Sequence, residues 1–438
     1  MESRKVIVVG AGIGGLAAAF WLGRRGFQVE VLEASDRPGG RMVTLEHRGD
    51  RVDVGAQLYH SNYRCALGLI DAMGLSGSKR RVPGKIQYAL PNGDTHVYDR
   101  RTPYSKLFGV KGNLELYAFL LRYVLFGHRF SPFGMAEDIP EYDDACVADL
   151  YRSRSDRRLL DYLVTPLTMG AMLTTPEWMS LYHYIRMFRL TLFSSFLGLT
   201  GGVSSLAEEL AGRLPVRYET PVVGLVMEKG RVVGVQRAGD GSVDRAAHVI
   251  VAVTPPAAAL LMPEPLDEQR RFFDSVLYTP LPMAVFFLDR PLRRDVLFYF
   301  SDPGLRRSYA FAINEHAKMP EMSRSGRSIV TGWAVYPTTL DLMNQRDDDL
   351  LRRAKEDIEL LIPGFSGWIE DAMLVRHAFV NAIYSPGANR ATSAFLEGAR
   401  GLRGVSFVSS ELSGMSIEGA VRSAARAVER VCGWEGRS

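Results

Sequence analysis

Cysteine is scarce. The 438-residue chain has three, Cys65, Cys146 and Cys432. They share no metal-ligand spacing and are too few for a disulfide framework, which fits a reducing compartment; no metal site is expected. Long apolar runs are missing as well. The most apolar stretch, VIVAVTPPAAALLM from Val249 to Met262, is broken by Pro255-Pro256 and is too short to span a bilayer. Charge of one sign is not in excess either. A net charge of +4 is small for this length, so nothing in the composition points to a nucleic-acid partner. There is no internal repeat and no low-complexity block. The first apolar strand opens at Lys5 or Val6, so no secretory leader is expected and the cytoplasm is the expected location.

What is present is an ordinary globular composition, in a chain too long for one core, so two or three domains are expected. Near the start stands VIVVGAGIGGLAAAFWLGRRGFQVEVLEASDRPGGR, Val6 to Arg41. Val6–Val9 is a continuous apolar run, the mark of a strand covered on both faces. Gly10, Gly12 and Gly15 follow in GxGxxG spacing, with Ala11, Ile13 and Gly14 between them. The first glycine permits a tight turn, the second lets backbone approach a pyrophosphate, and the third lets helix and strand pack closely. The helix that follows directs free N–H groups at the phosphates. A second strand, Gln28–Leu32, delivers Glu33, 18 positions after Gly15 and followed by Ala34. A carboxylate there accepts from both ribose hydroxyls and repels a 2′-phosphate, which argues against NADP. NAD and FAD both remain open on these residues.

A second glycine pair, Gly39-Gly40, precedes Arg41, whose guanidinium offers a fork of donors to phosphate. With the GGR loop added to GxGxxG and the ribose glutamate, the chain resembles the flavin amine oxidase superfamily, which takes in monoamine oxidases, protoporphyrinogen oxidases and phytoene-desaturase-like enzymes. The resemblance continues in order along the chain. VDVGAQLYH, Val52 to His60, is similar to the D-x-G-A segment that runs beside the flavin, which implies roles for Gly55, Ala56 and Gln57. Gly201-Gly202-Val203 resembles the glycine pair that returns the chain to the cofactor domain. YETPVVGLVMEKGRVVGV reads as a hairpin turning at Glu228-Lys229-Gly230, and the resemblance implies that the backbone of Val222 pairs with adenine.

The last match, VSFVSSELSGMSIEGAVRSAARAVERV from Val405 to Val431, resembles the closing flavin motif: a strand, a loop with an acid, and a helix opening at E-G-A. It implies Glu411 near the ribityl phosphate and Ser416 and Ile417 at the pyrimidine edge of the ring. A helix N-terminus aimed there stabilises negative charge on the reduced ring. The cofactor implied is FAD. No cysteine stands where a covalent flavin link forms, so non-covalent binding is expected.

The implied fold is α/β: a Rossmann-like FAD-binding domain of the GR2 type, with an interleaved α+β substrate domain. The flavin domain is expected from residues 1–75, 201–260 and 391–438, and the substrate domain from 76–200 and 261–390. Within these, 76–200 is expected to be a helical excursion. Segments 136–200 and 342–361 read helical, and 283–288 and 329–336 read as buried strands.

Two departures bear on the reaction. Met283 stands where the resemblance puts the water-holding lysine of monoamine oxidases, and Ser416 where one of their two substrate-flanking tyrosines stands. NAIYSPGANR, Asn381 to Arg390, is instead similar to a stretch of the protoporphyrinogen oxidases and desaturases. The expected reaction is hydride abstraction from a C–H of a sizeable, largely apolar small molecule, with O2 or another acceptor reoxidising the flavin. The alternatives are an amine or amide oxidase forming an imine and a redox-neutral FAD-dependent isomerase. No general base stands out. Gln57, Tyr59, His60, Tyr182 and Tyr384 are the candidates for catalysis, and His183, Arg327 and Trp333 join Tyr182 and Tyr384 as candidate cavity lining, although a wall role suits the aromatics better. Residues 106–130 mix Leu, Phe and Tyr with basic residues. They read first as a helix packed in the substrate domain, with a peripheral membrane contact as the alternative. The oligomeric state is left open.

Overall fold

The computed structural model describes residues 4–99, 101–125, 140–152, 156–239, 241–324, 326–414 and 416–435. Its first sheet is parallel and five-stranded, in the order Val216–Arg217, Gln28–Leu32, Lys5–Val9, His248–Val251, Val405–Phe407. Strands from both ends of the chain thus share one sheet, with Lys5–Val9 in register between Gln28–Leu32 and His248–Val251, and Val405–Phe407 on the far side of His248–Val251. The apolar run of Val6–Val9 is explained by what covers it. On one face lie the helices Ile13–Gly23, Arg64–Ala72, Ser205–Ala211 and Ile417–Glu435. On the other lie the hairpin Val222–Glu228/Arg231–Arg237 and the helices Pro255–Leu261, Asp267–Ser275 and Ala388–Ala399. Val6, Ile7 and Val8 are at most 1% exposed, as a strand with no solvent face requires. The hairpin turns through left-handed Lys229 (φ 49°) and Gly230 (φ 71°), which matches the right-handed twist of its strands.

The second sheet has seven strands, in the order Ile369–Ala382, Tyr278–Leu288, Ser328–Ala334, Tyr309–Asn314, Val296–Ser301, Lys85–Ala89, Thr95–Asp99. It is antiparallel except where Val296–Ser301 meets Lys85–Ala89. It shares the largest core with the helices Thr165–Met172 and Leu181–Leu192. Residues 283–288 and 329–334 are buried strands; Val335 and Tyr336, expected to extend the second, lie beyond its end at Ala334.

The segment 76–200 is not simply helical. Lys79–Val82, Lys85–Ala89, Thr95–Asp99 and Phe196–Leu199 are strands. Thr95–Asp99 is a hairpin strand at the edge of the seven-stranded sheet, paired with Lys85–Ala89. Phe196–Leu199 gains its hydrogen bonds only from Tyr59–His60 and Lys79–Val82, distant partners that a local pattern does not reveal. Residues 136–139 and 126–130 lie outside the described residues. No helix among those described is long and apolar enough to cross a membrane, and no described cluster of His, Cys, Asp or Glu is arranged to hold a metal.

Candidate functional site: a glycine turn and two converging loops

The glycine turn leaves Lys5–Val9 at Gly10, whose φ of 102° favours glycine. A Cβ on Gly15 would stand 2.1 Å from the Gly10 carbonyl oxygen, so this glycine allows the helix to lie on its own turn. One on Gly14 would meet Val408 at 2.7 Å. Gly12 differs. Its φ is −66°, and its Cβ would have nothing nearer than the Ala252 carbonyl at 4.0 Å. It precedes Ile13–Gly23, whose N-terminus no side chain caps. A helix start with free N–H donors and open space in front of it is a ready anion seat.

Around this seat the turn is held by Glu33. Its Oε2 accepts from Ala11 N (2.6 Å), and its Oε1 accepts from Ser35 N and Oγ (3.0 and 2.8 Å). Gly39 N donates to the Ala11 carbonyl (2.8 Å), which sets Gly39-Gly40 against Gly12, with Ala34 exposed beside Glu33. Thr220 N donates to the Glu33 carbonyl (2.8 Å) and brings the strand that opens at Val222 to the same end of the sheet. An uncapped helix start, open space at the second glycine and a half-exposed carboxylate one strand away fit a dinucleotide.

Arg41 joins this end to the C-terminal loop. Its guanidinium donates to Glu411 Oε1 (3.0 Å), Ser410 Oγ (3.1 Å) and the Val380 carbonyl (3.2 Å), and lies 5.7 Å over the Tyr278 ring. Burial alone would raise the Glu411 carboxyl, but Arg41 and the Ser409 hydroxyl outweigh it and bring its pKa down to about 2. Gly55 abuts the same arginine, since a Cβ on it would lie 2.0 Å from the Arg41 carbonyl oxygen, and Ala56 N donates to that oxygen (2.9 Å). In the closing motif, the Glu418 carboxylate accepts from the backbone N–H groups of Arg64, Cys65 and Ala66 (2.8–3.1 Å), which caps Arg64–Ala72. A Cβ on Gly419 would stand 1.6 Å from the Gly414 carbonyl oxygen. The E-G pair is therefore architectural. Ser416, at φ 133°, accepts from Gly419 N (3.3 Å) at the start of Ile417–Glu435, and Ile417 is buried beside it.

The candidates for catalysis are divided. Gln57 donates to the Asp53 and Gly55 carbonyls and accepts from the buried Lys318 ammonium at 2.6 Å. Lys318, together with Asp53, Glu315 and Thr331, forms a buried network that sequence reasoning missed. Burial opposes the charge on Lys318, but Asp53 and Glu315 raise its pKa; burial also raises the Glu315 carboxyl, against the opposing Lys318. A lone lysine in NEHAKMP gives no local sign of such a role. Tyr59 is buried, with its hydroxyl on the Val203 carbonyl (3.3 Å). His60 bonds Ser194 Oγ at 2.6 Å and packs between Tyr63 and Phe196. Tyr182 is buried with the Arg186 guanidinium over its ring.

Tyr384 packs against His183, with ring centroids 4.6 Å apart and planes tilted by 33°, and its carbonyl accepts from Ser180 N. Burial and Arg186 hold His183 well below its usual pKa, so the ring is neutral. Trp333 and Arg327 are not lining residues. Trp333 is core, stacked on Phe311 with its indole N–H on Thr331 Oγ1, and Arg327 pairs with Glu370 at the surface. Met283 is fully buried in its strand.

A glycine turn opening on an uncapped helix, a carboxylate at the next strand end and a C-terminal helix returning to the same edge define a Rossmann-like fold, a class in which dinucleotides are commonly bound. Residues 13–432 match the model of the flavin-containing amine oxidoreductases. The chain belongs to that family, whose members are flavin-dependent oxidoreductases. It is 40% identical over 95 residues to the putrescine oxidase of Kocuria rosea, 22% of this chain and 20% of that one. It is 27% identical over 185 residues to protoporphyrinogen oxidase 2 of Arabidopsis thaliana, 42% of this chain and 35% of that one. The matched stretches thus span about a third or less of these relatives. The structure of cyclohexylamine oxidase from Brevibacterium oxydans IH-35A superposes with a TM-score of 0.78 over 99% of both chains at 17% identity, a likeness of fold.

Proposed function

We propose that the protein is a cytoplasmic FAD-dependent oxidoreductase that takes hydride from a C–H of a sizeable, largely apolar small molecule. The FAD is held without a covalent link, by the Gly10–Gly15 turn, Glu33, Arg41, the backbone at Val222, and the loop and helix start from Glu411 to Ile417. The chemistry that bound FAD supplies is two-electron oxidation of the substrate C–H, with O2 or another acceptor as the final oxidant. The chain's own residues provide the rest. Tyr278, Tyr384 and Ala382 pack with Met172 into an aromatic and apolar wall between the second sheet and the helical section, which excludes water and holds the substrate in one pose.

One observation carries the choice of an apolar substrate: among the described residues near this wall, no carboxylate is left over for an ammonium group. Glu411 is paired with Arg41, and Asp143 accepts the backbone N–H groups of Asn389 and Arg390. Neutral His183 adds no charge. Anaerobic mixing of the yellow protein with amines, tetrapyrroles and polyenes tests the reading. Bleaching by a polyene or tetrapyrrole and not by amines is expected; bleaching by amines alone overturns it. Acid precipitation that leaves the yellow colour in the pellet overturns non-covalent binding.

We further propose that the helix at 109–125 rests on a membrane surface, the route by which an apolar substrate enters. In support, Val110, Leu114, Tyr117, Leu121 and Leu125 recur every three or four residues and are all exposed, Val110, Leu114 and Leu125 by more than 60%, with Lys106, Lys111 and Arg122 nearby to meet anionic headgroups. Co-sedimentation with anionic vesicles is expected and should fail for Leu114→Glu/Leu121→Glu. Equal pelleting of the variant overturns it.

A further inference from the structure

The free edge of the first sheet carries a cleft that the dinucleotide and substrate readings leave unused. It lies between Ala388–Ala399, the edge strand Val405–Phe407 and the second half of Ile417–Glu435, and has a volume of about 630 Å³. Three arginines line it, Arg400, Arg426 and Arg430, with one carboxylate, Glu397.

The three arginines are unlike most of those on this protein's surface. Arg213, Arg217, Arg245, Arg352 and Arg376 each hold a carboxylate partner. Among the described residues no carboxylate lies within ion-pair distance of Arg400, Arg426 or Arg430. Arg426 donates to the Leu412 carbonyl (2.7 Å) and Ser413 Oγ (2.5 Å). Arg430 donates to the carbonyls of Ala399, Arg400 and Leu402 (2.5–3.3 Å), satisfying the end of Ala388–Ala399. Those partners are neutral, so the positive charge is not cancelled. Burial, Arg422 and Arg186 lower the Arg426 pKa against the opposing Glu429, and burial lowers that of Arg430, the direction expected where desolvation of a cation outweighs its nearby negative charge. The Arg400 side chain is exposed at the rim and makes no hydrogen bond or ion pair with the described residues, although its carbonyl accepts from Arg430.

The floor is aromatic. Phe395 and Phe407 line the cleft with ring centroids 5.4 Å apart, and Phe272 stacks behind Phe395 at 4.2 Å. A fork of guanidinium donors over an aromatic floor recognises an anion attached to a flat apolar body. The back wall reaches the loop that carries Glu411. Ser409 N donates to Ser423 Oγ (3.2 Å) on the cleft side, and Arg426 grips Leu412 and Ser413. A ligand that fixes Arg426 therefore fixes 409–413 from behind.

We propose that this cleft is a binding site for a small organic anion, a phosphate or paired carboxylates on an aromatic or similarly apolar body, and that its occupancy steadies the loop 409–413. The probes are phenyl phosphate, isophthalate and inorganic phosphate, titrated calorimetrically at low salt into the protein as purified, with Arg400→Glu and Arg426→Gln alongside. Saturable binding of phenyl phosphate is expected, weakened at least tenfold in each variant. Hydrogen exchange at 409–413 should slow on binding in the wild type. Isophthalate binding as well assigns the site to anions generally, and its failure narrows the ligand to phosphates. Three results overturn the proposal: no saturable binding of phenyl phosphate, affinity unchanged in both variants, or inorganic phosphate binding as tightly as phenyl phosphate. Arg400→Glu alters only a rim side chain, so a folding defect in Arg426→Gln does not blur the outcome. None of these readouts depends on turnover.

Discussion

The Lys318 ammonium lies 3.0 Å from Asp53 Oδ2, with both side chains at most 5% exposed. Lys318 ends the short helix Glu315–Lys318, which follows a strand of the second sheet, and Asp53 ends the strand Asp50–Asp53 just before Gly55. The other oxygen of Asp53 accepts from Thr44 Oγ1 (2.6 Å) and Val203 N (2.9 Å). One carboxylate thus joins segments around residues 44, 53, 203 and 318, and the same ammonium orients Gln57.

Replacing Lys318 with Met strands Asp53 and Glu315 in a buried site. Breaking one side of a buried ion pair costs about 3–5 kcal/mol, while replacing all the partners together costs much less. Urea unfolding of Lys318→Met should show a loss of this size, and adding Asp53→Asn and Glu315→Gln should recover part of it. A single mutant as stable as the wild type would show the network to be idle.

The second and third glycines of the turn should respond differently. Gly15→Ala forces a Cβ against the Gly10 carbonyl and should cost roughly 1–3 kcal/mol. Gly12→Ala meets open space at an ordinary φ and should change stability by no more than about 0.5 kcal/mol, yet lower the flavin content of the purified protein. Thermal melts of flavin-depleted protein and absorbance near 450 nm (the usual flavin band, roughly placed) check the two halves. Full flavin content in Gly12→Ala would move the pyrophosphate elsewhere.

Glu411 sets a pH dependence with a definite sign. Its folded pKa of about 2 lies below the ordinary 4.5, so it contributes stability at any pH above 4.5. That contribution fades as pH falls from 4.5 toward 2. Wild type and Glu411→Gln should therefore differ most near neutrality, and their urea midpoints should converge over this window. Parallel curves would mean that the Arg41–Glu411 pair adds nothing.

Glu418→Ala removes a fully buried carboxylate from three backbone N–H groups at the start of Arg64–Ala72, of which that of Ala66 is buried and the other two partly so. A loss of about 1–3 kcal/mol is expected from unsatisfied buried donors. Hydrogen exchange at Arg64, Cys65 and Ala66 should rise beyond that of the rest of this helix; unchanged protection there would assign the cap to other groups.

The parts that were legible in the sequence have local causes. Gly10, Gly12 and Gly15 at fixed spacing, the apolar Val6–Val9 and the Glu228-Lys229-Gly230 turn need only their neighbours to be read, because φ preference and strand burial act within a few residues. The strand Phe196–Leu199 and the core position of Trp333 were not legible, since each depends on partners more than a hundred residues away or on a sheet assembled from several segments.

By itself the sequence determined a strand–turn–helix that opens a parallel sheet, a carboxylate at the next strand end and a C-terminal helix beginning at Ile417, because these follow from backbone freedom and periodic burial. Only the tertiary structure decided that Arg41 meets Glu411, that Lys318 sits between Asp53 and Glu315, and that three arginines share one cleft with a single carboxylate, Glu397. Such pairings join side chains up to 370 positions apart. Their energy depends on distance and exclusion of water, which exist only once the chain has closed on itself.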